Sequence, residues 1–338
     1  VRKFDVPDSQ KVLDAKGLAL RALELDPEFA QAWQMLATTY LAELTFNILD
    51  GEAAEENIRL AQQAATRATL LNPDLVGAWG TSANVDLERF EWDEAKFGIE
   101  RAVQVRPGDA DRQFSAGYFY TVVGWFADAI PALERSAELN PRDSVALSVL
   151  GRAYLSDGRI DDAIATLNQS IAVGYSAAYV NLSMVYLTEG NAAKAKSVLM
   201  DSWGSDSWFA EYTRWFGMEP VDYIDKMVEG YFDETLRDEY LRLLPVTEVK
   251  GLLVTGSMFL KNSEHLTRWL QENSYSSNLI ITYLFAPPFR DMLNQPAMKD
   301  YFHSTGLPDF WRANKWPDFC RPVGDDDFEC QDINGNYP

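Results

Sequence analysis

Cys320 and Cys330 are the only cysteines of the chain, ten positions apart in a segment crowded with Pro, Gly and aromatic residues. Two thiols allow a single pairing, so they either close one short loop or stay as free buried thiols. In an oxidising compartment such a bridge stabilises the tail by about 3 kcal/mol on a chain-entropy basis. Close by, Asp325, Asp326 and Asp327 with Asp332, Asn334 and Asn336 offer hard oxygen ligands. The run Asp332 to Asn336 shares part of a calcium-loop pattern but lacks the closing Glu, so a solvated acidic tail is the reading and no metal is assigned. His265 and His303 are the only histidines, and neither sits in a motif that would orient a general base. No glycine-rich phosphate loop, nucleophile elbow or paired metal-binding histidines occur, and the 51 carboxylates give no basis for choosing a glycosidase pair. The expectation is a protein without catalytic residues and without a cofactor.

The elements that carry these residues follow a period of 34. Trp79, Gln113 and Leu147 open equivalent units, and Pro107 and Pro141 close two of them. From Trp33, the residues Leu36, Ala37 and Tyr40 fall on one helical face, and Ala61, Ala65 and Ala68 supply the facing helix before Pro73. Between them lies an insertion of twelve residues. The second unit reads Trp79, Ser82, Ala83, Ala95, Ile99 and Ala102, with Asp86 standing where Tyr is expected. The third reads Gln113, Ala116, Gly117, Tyr120, Ala129, Leu133 and Ala137, and the fourth Leu147, Leu150, Gly151, Tyr154, Ala163, Leu167 and Ile171. A fifth, two residues early, has Tyr179, Leu182, Ser183, Tyr186, Ala195 and Leu199. All of these are packing positions, because small residues let paired helices approach and Pro stops them.

This pattern of aromatic, Leu, Gly or Ala, Tyr, Ala, bulky apolar residue, Ala and Pro resembles the tetratricopeptide repeat family. The resemblance implies an all-α fold: a right-handed superhelical solenoid of helix pairs with a divergent helical C-terminal cap. It divides the chain into a solenoid over 1–203 (a partial repeat over 10–27, then five repeats from about 28), divergent helical repeats over 204–305, and an irregular tail over 306–338. Within the cap, apolar stripes predict helices over Asp222 to Tyr231, Glu234 to Leu244, Glu264 to Glu272 and Leu279 to Phe285, broken by Pro245, Gly256 and Pro287-Pro288. In such folds the first helices line the concave face. Residues one turn from the packing positions then point into it: Gln31, Gln34, Thr38, Asn84, Glu88, Asp111, Phe114, Tyr118, Ser148, Arg152, Val180 and Met184. Amides, two acids, one Arg and two aromatics suit a peptide or a partner helix, while the chain's own C-terminal part is an equally open occupant.

The tail, Gly306 to Trp311 and then Trp316 to Cys330, is similar to the ending of tetratricopeptide regions in bacterial membrane-bound winged-helix regulators and class III adenylate cyclases. That resemblance implies a periplasmic signal-input region, with a cytoplasmic placement as the alternative, and the periplasm favours the Cys320–Cys330 disulfide over free thiols. The start at Val1, without an initiator Met, is read as a piece of a longer or processed protein. With 30 basic against 51 acidic residues the net charge is -21, which repels phosphate backbones and anionic lipids, so no nucleic-acid partner is expected. No apolar run is long enough to insert in a bilayer. The first functional expectation is a non-catalytic module binding a peptide or protein; the second is the signal-input domain; the third is a scaffold that self-assembles by end-to-end stacking into a homo-oligomer.

Overall fold

The computed structural model of the chain describes residues 7–45, 51–203, 219–243, 256–272 and 277–338. The fold class is all-α, with stacked helix pairs over most of the chain and further helices towards the C-terminus. The pairs run as α1 (Pro7–Leu25), α2 (Ala30–Thr45), α3 (Gly51–Leu71), α4 (Val76–Glu88), α5 (Trp92–Val105), α6 (Ala110–Val122), α7 (Phe126–Leu139), α8 (Ser144–Ser156), α9 (Ile160–Ala172), α10 (Ala178–Thr188) and α11 (Ala192–Trp203). There follow α12 (Pro220–Phe232), α13 (Glu234–Leu243), α14 (Ser263–Glu272), α15 (Ser277–Leu284), a 3-10 helix (Pro287–Asn294), α16 (Pro296–Ser304) and α17 (Leu307–Ala313). The stripes in the C-terminal third thus lie on α12 to α15, while Pro245 and the stretch before Gly256 lie outside the described residues.

The repeat positions act through backbone chemistry as well as packing. The indole Nε1 of Trp33 donates to the Pro27 carbonyl at 2.8 Å, that of Trp79 to Pro73 at 2.9 Å, and the Gln113 amide to Pro107 at 2.8 Å. Each opening residue therefore ties its helix to the end of the preceding pair, satisfying a carbonyl that the Pro-terminated turn leaves without a partner. The turn within a pair needs one residue of left-handed backbone. Gly124 (φ 78°), Gly158 (φ 82°) and Gly190 (φ 70°) supply it, and Phe90 (φ 59°) takes the same position in the second unit. Gly151 matters for a different reason. A Cβ there would lie 2.6 Å from Leu167, so the glycine sets how closely α8 and α9 approach.

The chain forms two compact units. Unit 1 comprises residues 1–119 with 272–280; unit 2 comprises 120–271 with 281–338. In unit 1, Ala37, Ala61, Ala65, Leu36, Ile58 and Val85 belong to one continuous apolar core. Glu43, buried at 3% exposure, accepts the ammonium of Lys16 at 2.9 Å and the Asn57 amide at 2.6 Å, which neutralises a carboxylate inside that core.

In unit 2 the tail is an integral part of the packing. Trp311 is fully buried and its Nε1 donates to the Val123 carbonyl at 2.8 Å, while Trp125 Nε1 donates to Lys315 at 2.8 Å and its ring stacks on Phe310 at 5.4 Å. The side chains of Pro317 and Phe319 come within 3.1 Å of where a Cβ on Gly124 would stand. The segment read from sequence as irregular holds α17 and a two-stranded antiparallel hairpin, β1 (Cys320–Val323) with β2 (Asp327–Cys330). Cys320 and Cys330 sit opposite each other in that ladder and form the disulfide. Gly324, at φ 59°, makes the tight turn of this hairpin possible. Asp332 Oδ1 accepts the backbone N–H groups of Asn334 and Asn336 at 2.9 and 2.8 Å, so its carboxylate closes a local turn.

Candidate interaction faces

In unit 1 the first helices α2, α4 and α6 carry the predicted contact residues. Gln31, Thr38, Asn84 and Asp111 are exposed, and Gln34, Phe114 and Tyr118 are half-buried. Two glycines of α4 make room for side chains of neighbouring helices: the Gln34 amide occupies the place a Cβ on Gly77 would take, and the Arg112 guanidinium that of a Cβ on Gly80. Thr38 Oγ1 stands 3.4 Å from Thr81 Oγ1. Beside this row of amide, hydroxyl and guanidinium groups, the Phe114 and Tyr118 rings stack one turn apart with centroids 6.1 Å apart. Such a face offers polar groups for a backbone and two rings for an apolar anchor.

At its end, α4 meets the chain's own residues 277–280. The Asn278 amide donates to the Leu87 carbonyl at 3.0 Å, and Ile280 is buried. Here Glu88 Oε2 is closed off from solvent without a hydrogen-bond partner. Burial pushes the Glu88 carboxyl up to about 8, opposed by the Asn278 side chain, so the group holds a proton at neutral pH. Asp86, the residue that breaks the repeat pattern, is pushed up to about 7, first by burial and then by Glu91 and Glu94.

Unit 2 treats the equivalent residues differently. Ser148, Arg152 and Met184 are all buried, at 2%, 2% and 1% exposure. Ser148 accepts the amide of Asn181 at 2.8 Å, and the Arg152 guanidinium lies 4.7 Å from the centre of the Tyr283 ring on α15. Val180 is half-buried. One turn beyond Arg152, the Ser156 carbonyl accepts Arg290 Nη2, and Arg290 Nε donates to Phe285 at 2.8 Å. Burial brings Arg290 down to about 10, opposed by Asp157. Ser148 and Met184 are thus buried within unit 2, Ser148 against Asn181 of α10, while Tyr283 lies over Arg152 and Arg290 reaches the carbonyl of Ser156 at the end of α8.

Sequence profiles of the tetratricopeptide repeat match residues 18–62, 124–179 and 176–202. The chain carries tetratricopeptide repeats. Among curated proteins, it is 33% identical over 121 residues to the cytochrome c-type biogenesis protein CycH of Pseudomonas aeruginosa, a match that covers 32% of this chain and 30% of the relative. It is 35% identical over 82 residues to the peroxisomal targeting signal receptor of Pichia angusta, covering 24% of this chain and 14% of that protein. The chain thus spans less than a third of the length of either curated relative. Among solved structures, the human IFIT1 dimer with m7Gppp-AAAA aligns over 81% of this chain and 67% of that one, at 16% identity and a TM-score of 0.53. That likeness extends to the fold alone.

Within the tetratricopeptide frame, two features of these faces escaped the sequence. Asn278, Tyr283 and Arg290 contact first-helix residues, yet they sit in a region where the period has faded and only a helical stripe marks them. The second is the burial of Arg152, which local pattern cannot reveal because its cover lies about 130 residues further along the chain. No helix among the described residues is long and apolar enough to cross a membrane. A shallow apolar cleft between α11 and α12–α13 is bordered by Lys196, whose ammonium is bound by Asp225 and Glu229 at 2.9 and 3.1 Å.

Proposed function

We propose that the chain is a non-catalytic interaction module that holds a peptide or protein segment on the first-helix face of unit 1. Gln31, Gln34, Thr38, Asn84 and Asp111 supply polar contacts, and Phe114 with Tyr118 supplies the apolar anchor. The observation that carries this reading is the stacked ring pair at the edge of a polar row in which Gln34 and Arg112 lie over Gly77 and Gly80. Rings of this kind concentrate binding energy when a partner desolvates them. In contrast, Ser148, Arg152 and Met184 act inside unit 2.

The test is a double variant, Phe114→Ala with Tyr118→Ala, compared with the parent chain in crosslinking and affinity capture, each partner then being measured with purified components. Affinity should fall at least about tenfold, since truncating an anchor costs about 2 kcal/mol or more. Unchanged affinity for every partner would remove this face from the account.

A second reading is that the chain works outside the cytoplasm, which the disulfide and the cytochrome c biogenesis relative support, and there serves as the input region of a membrane-bound regulator or cyclase, which rests on the resemblance of its tail alone. Acid trapping of whole cells followed by alkylation, before and after reduction, tests the location. Protection of both cysteines until reduction is the expected result, and free thiols in cells would count against it.

A further inference from the structure

Arg152 is a charged side chain of unit 2 whose hydrogen bonding is left incomplete by its surroundings. It is 2% exposed, yet neither Nε nor Nη2 has a hydrogen-bond partner. Another buried guanidinium of that unit, Arg290, places the same two nitrogens on the carbonyls of Phe285 and Ser156. Arg237 likewise places them on the carbonyls of Gly230 and Tyr231, at 2.8 and 3.1 Å. In unit 1 the ammonium of Lys16 is matched by the buried Glu43. Leaving a guanidinium desolvated and unpaired is strongly unfavourable, and the Tyr283 ring offsets only part of that cost.

The unpaired atoms define the missing partner. Nε and Nη2 form the side edge of the guanidinium, whose two parallel N–H bonds fit two oxygens of one carboxylate or phosphate-type group. Ser156, one turn away on the same helix face, has a buried Oγ without a partner, and so does the Oδ1 of Asn181 beside Ser148. Rotating the Asn181 amide by half a turn keeps its bond to Ser148, whose hydroxyl then donates, and turns the NH2 inward as a further donor. Burial, with a contribution from Tyr283, pushes the Tyr175 hydroxyl up, and Arg152 opposes that push.

We propose that Arg152 is the base of an enclosed site for a small free oxyanion, which places two oxygens on the Nε and Nη2 edge and takes further hydrogen bonds from Ser156 and Asn181. The site lies in unit 2 and is independent of partner binding on unit 1. A bound anion completes the packing of Tyr283 over α8, so binding registers as added stability of that unit.

Thermal unfolding of the full chain, followed by circular dichroism, tests this with sodium phosphate, sulfate, acetate and succinate, each against chloride at equal ionic strength. At least one ion should raise Tm saturably, on the order of 3 °C at tenfold excess over its Kd. Arg152→Gln should abolish that rise, and Arg152→Lys, a point charge without the fork, should weaken the apparent affinity at least tenfold. Isothermal titration of the parent chain should give one ion per chain. The proposal is overturned if no ion exceeds chloride, or if either variant that folds responds like the parent, which would mark surface binding. Which of the four ions acts separates a carboxylate ligand from a phosphate-type one.

Discussion

Units 1 and 2 are built on the same repeat, yet most groove-facing positions of unit 1 are exposed or half-buried, Glu88 beside Asn278 being the exception, while Ser148, Arg152 and Met184 of unit 2 are buried. Gln34 of unit 1 is half-buried and Thr38 exposed, whereas Ser148 and Arg152, at comparable places one and two turns along a first helix, are both buried, Ser148 against Asn181 of α10 and Arg152 beneath Tyr283. The difference lies in what faces the helix. In unit 2, Tyr283, Phe285 and Arg290 occupy the space, fixed by the aromatic cluster of Trp311, Phe302, Phe328 and Phe319. In unit 2 part of a first-helix face is therefore occupied by the chain itself, at Arg152 and at the Ser156 carbonyl.

The comparison breaks most severely if the tail is loosened. Trp311→Ala removes a buried indole and orphans the Val123 carbonyl, and a loss of about 3 to 5 kcal/mol is expected in denaturant unfolding. Hydrogen exchange should then speed up in α8 and α15 while α2 and α3 keep their protection. Uniform acceleration through both units would contradict their separate character.

A smaller effect sharpens the contrast from the side of unit 1. Glu88 and Asp86 have folded pKa values of about 8 and about 7, both above their unfolded values because burial opposes charge. A carboxyl raised in this way contributes fully below the unfolded pKa, near 4.5, and its contribution is lost as pH rises through the folded value. Stability should therefore decline between about pH 5 and pH 8. Glu88→Gln should remove a part of that slope on the order of 2 kcal/mol, read from Tm against pH in the parent and the variant. Parallel profiles would show that Glu88 is not enclosed.

Much of this was legible because the repeat is a local pattern. Trp33, Trp79 and Gln113 mark helix starts by their fixed offsets, and the structure adds what the offsets do not carry: each reaches back to a Pro carbonyl, and Gly124, Gly158 and Gly190 make the turns within pairs. The helices over 220–232 and 234–243 follow from their apolar stripes for the same reason. The fate of Arg152 was not legible. The sequence leaves a partner and the chain's own C-terminal part as equally open occupants of the groove, and only contacts between residues about 130 or more positions apart, Arg152 with Tyr283 and Ser156 with Arg290, show the latter at this helix. The hairpin of the tail was hidden by its brevity: two four-residue strands carry too little alternation to stand out, although Cys320 and Cys330 marked its base.

The central claim, an open face in one unit and a self-filled face in the other, is tested most directly by thiol labelling. The native cysteines are joined, so a single added cysteine reports alone. Thr38→Cys and Ser148→Cys each change little in size, and their rates of reaction with a maleimide can be compared in the folded chain. Thr38→Cys should react near the rate of a free thiol, and Ser148→Cys at least about a hundredfold more slowly until denaturant opens unit 2. Equal rates at the two positions would mean that this face of α8 is open in the folded chain, and the account would fail.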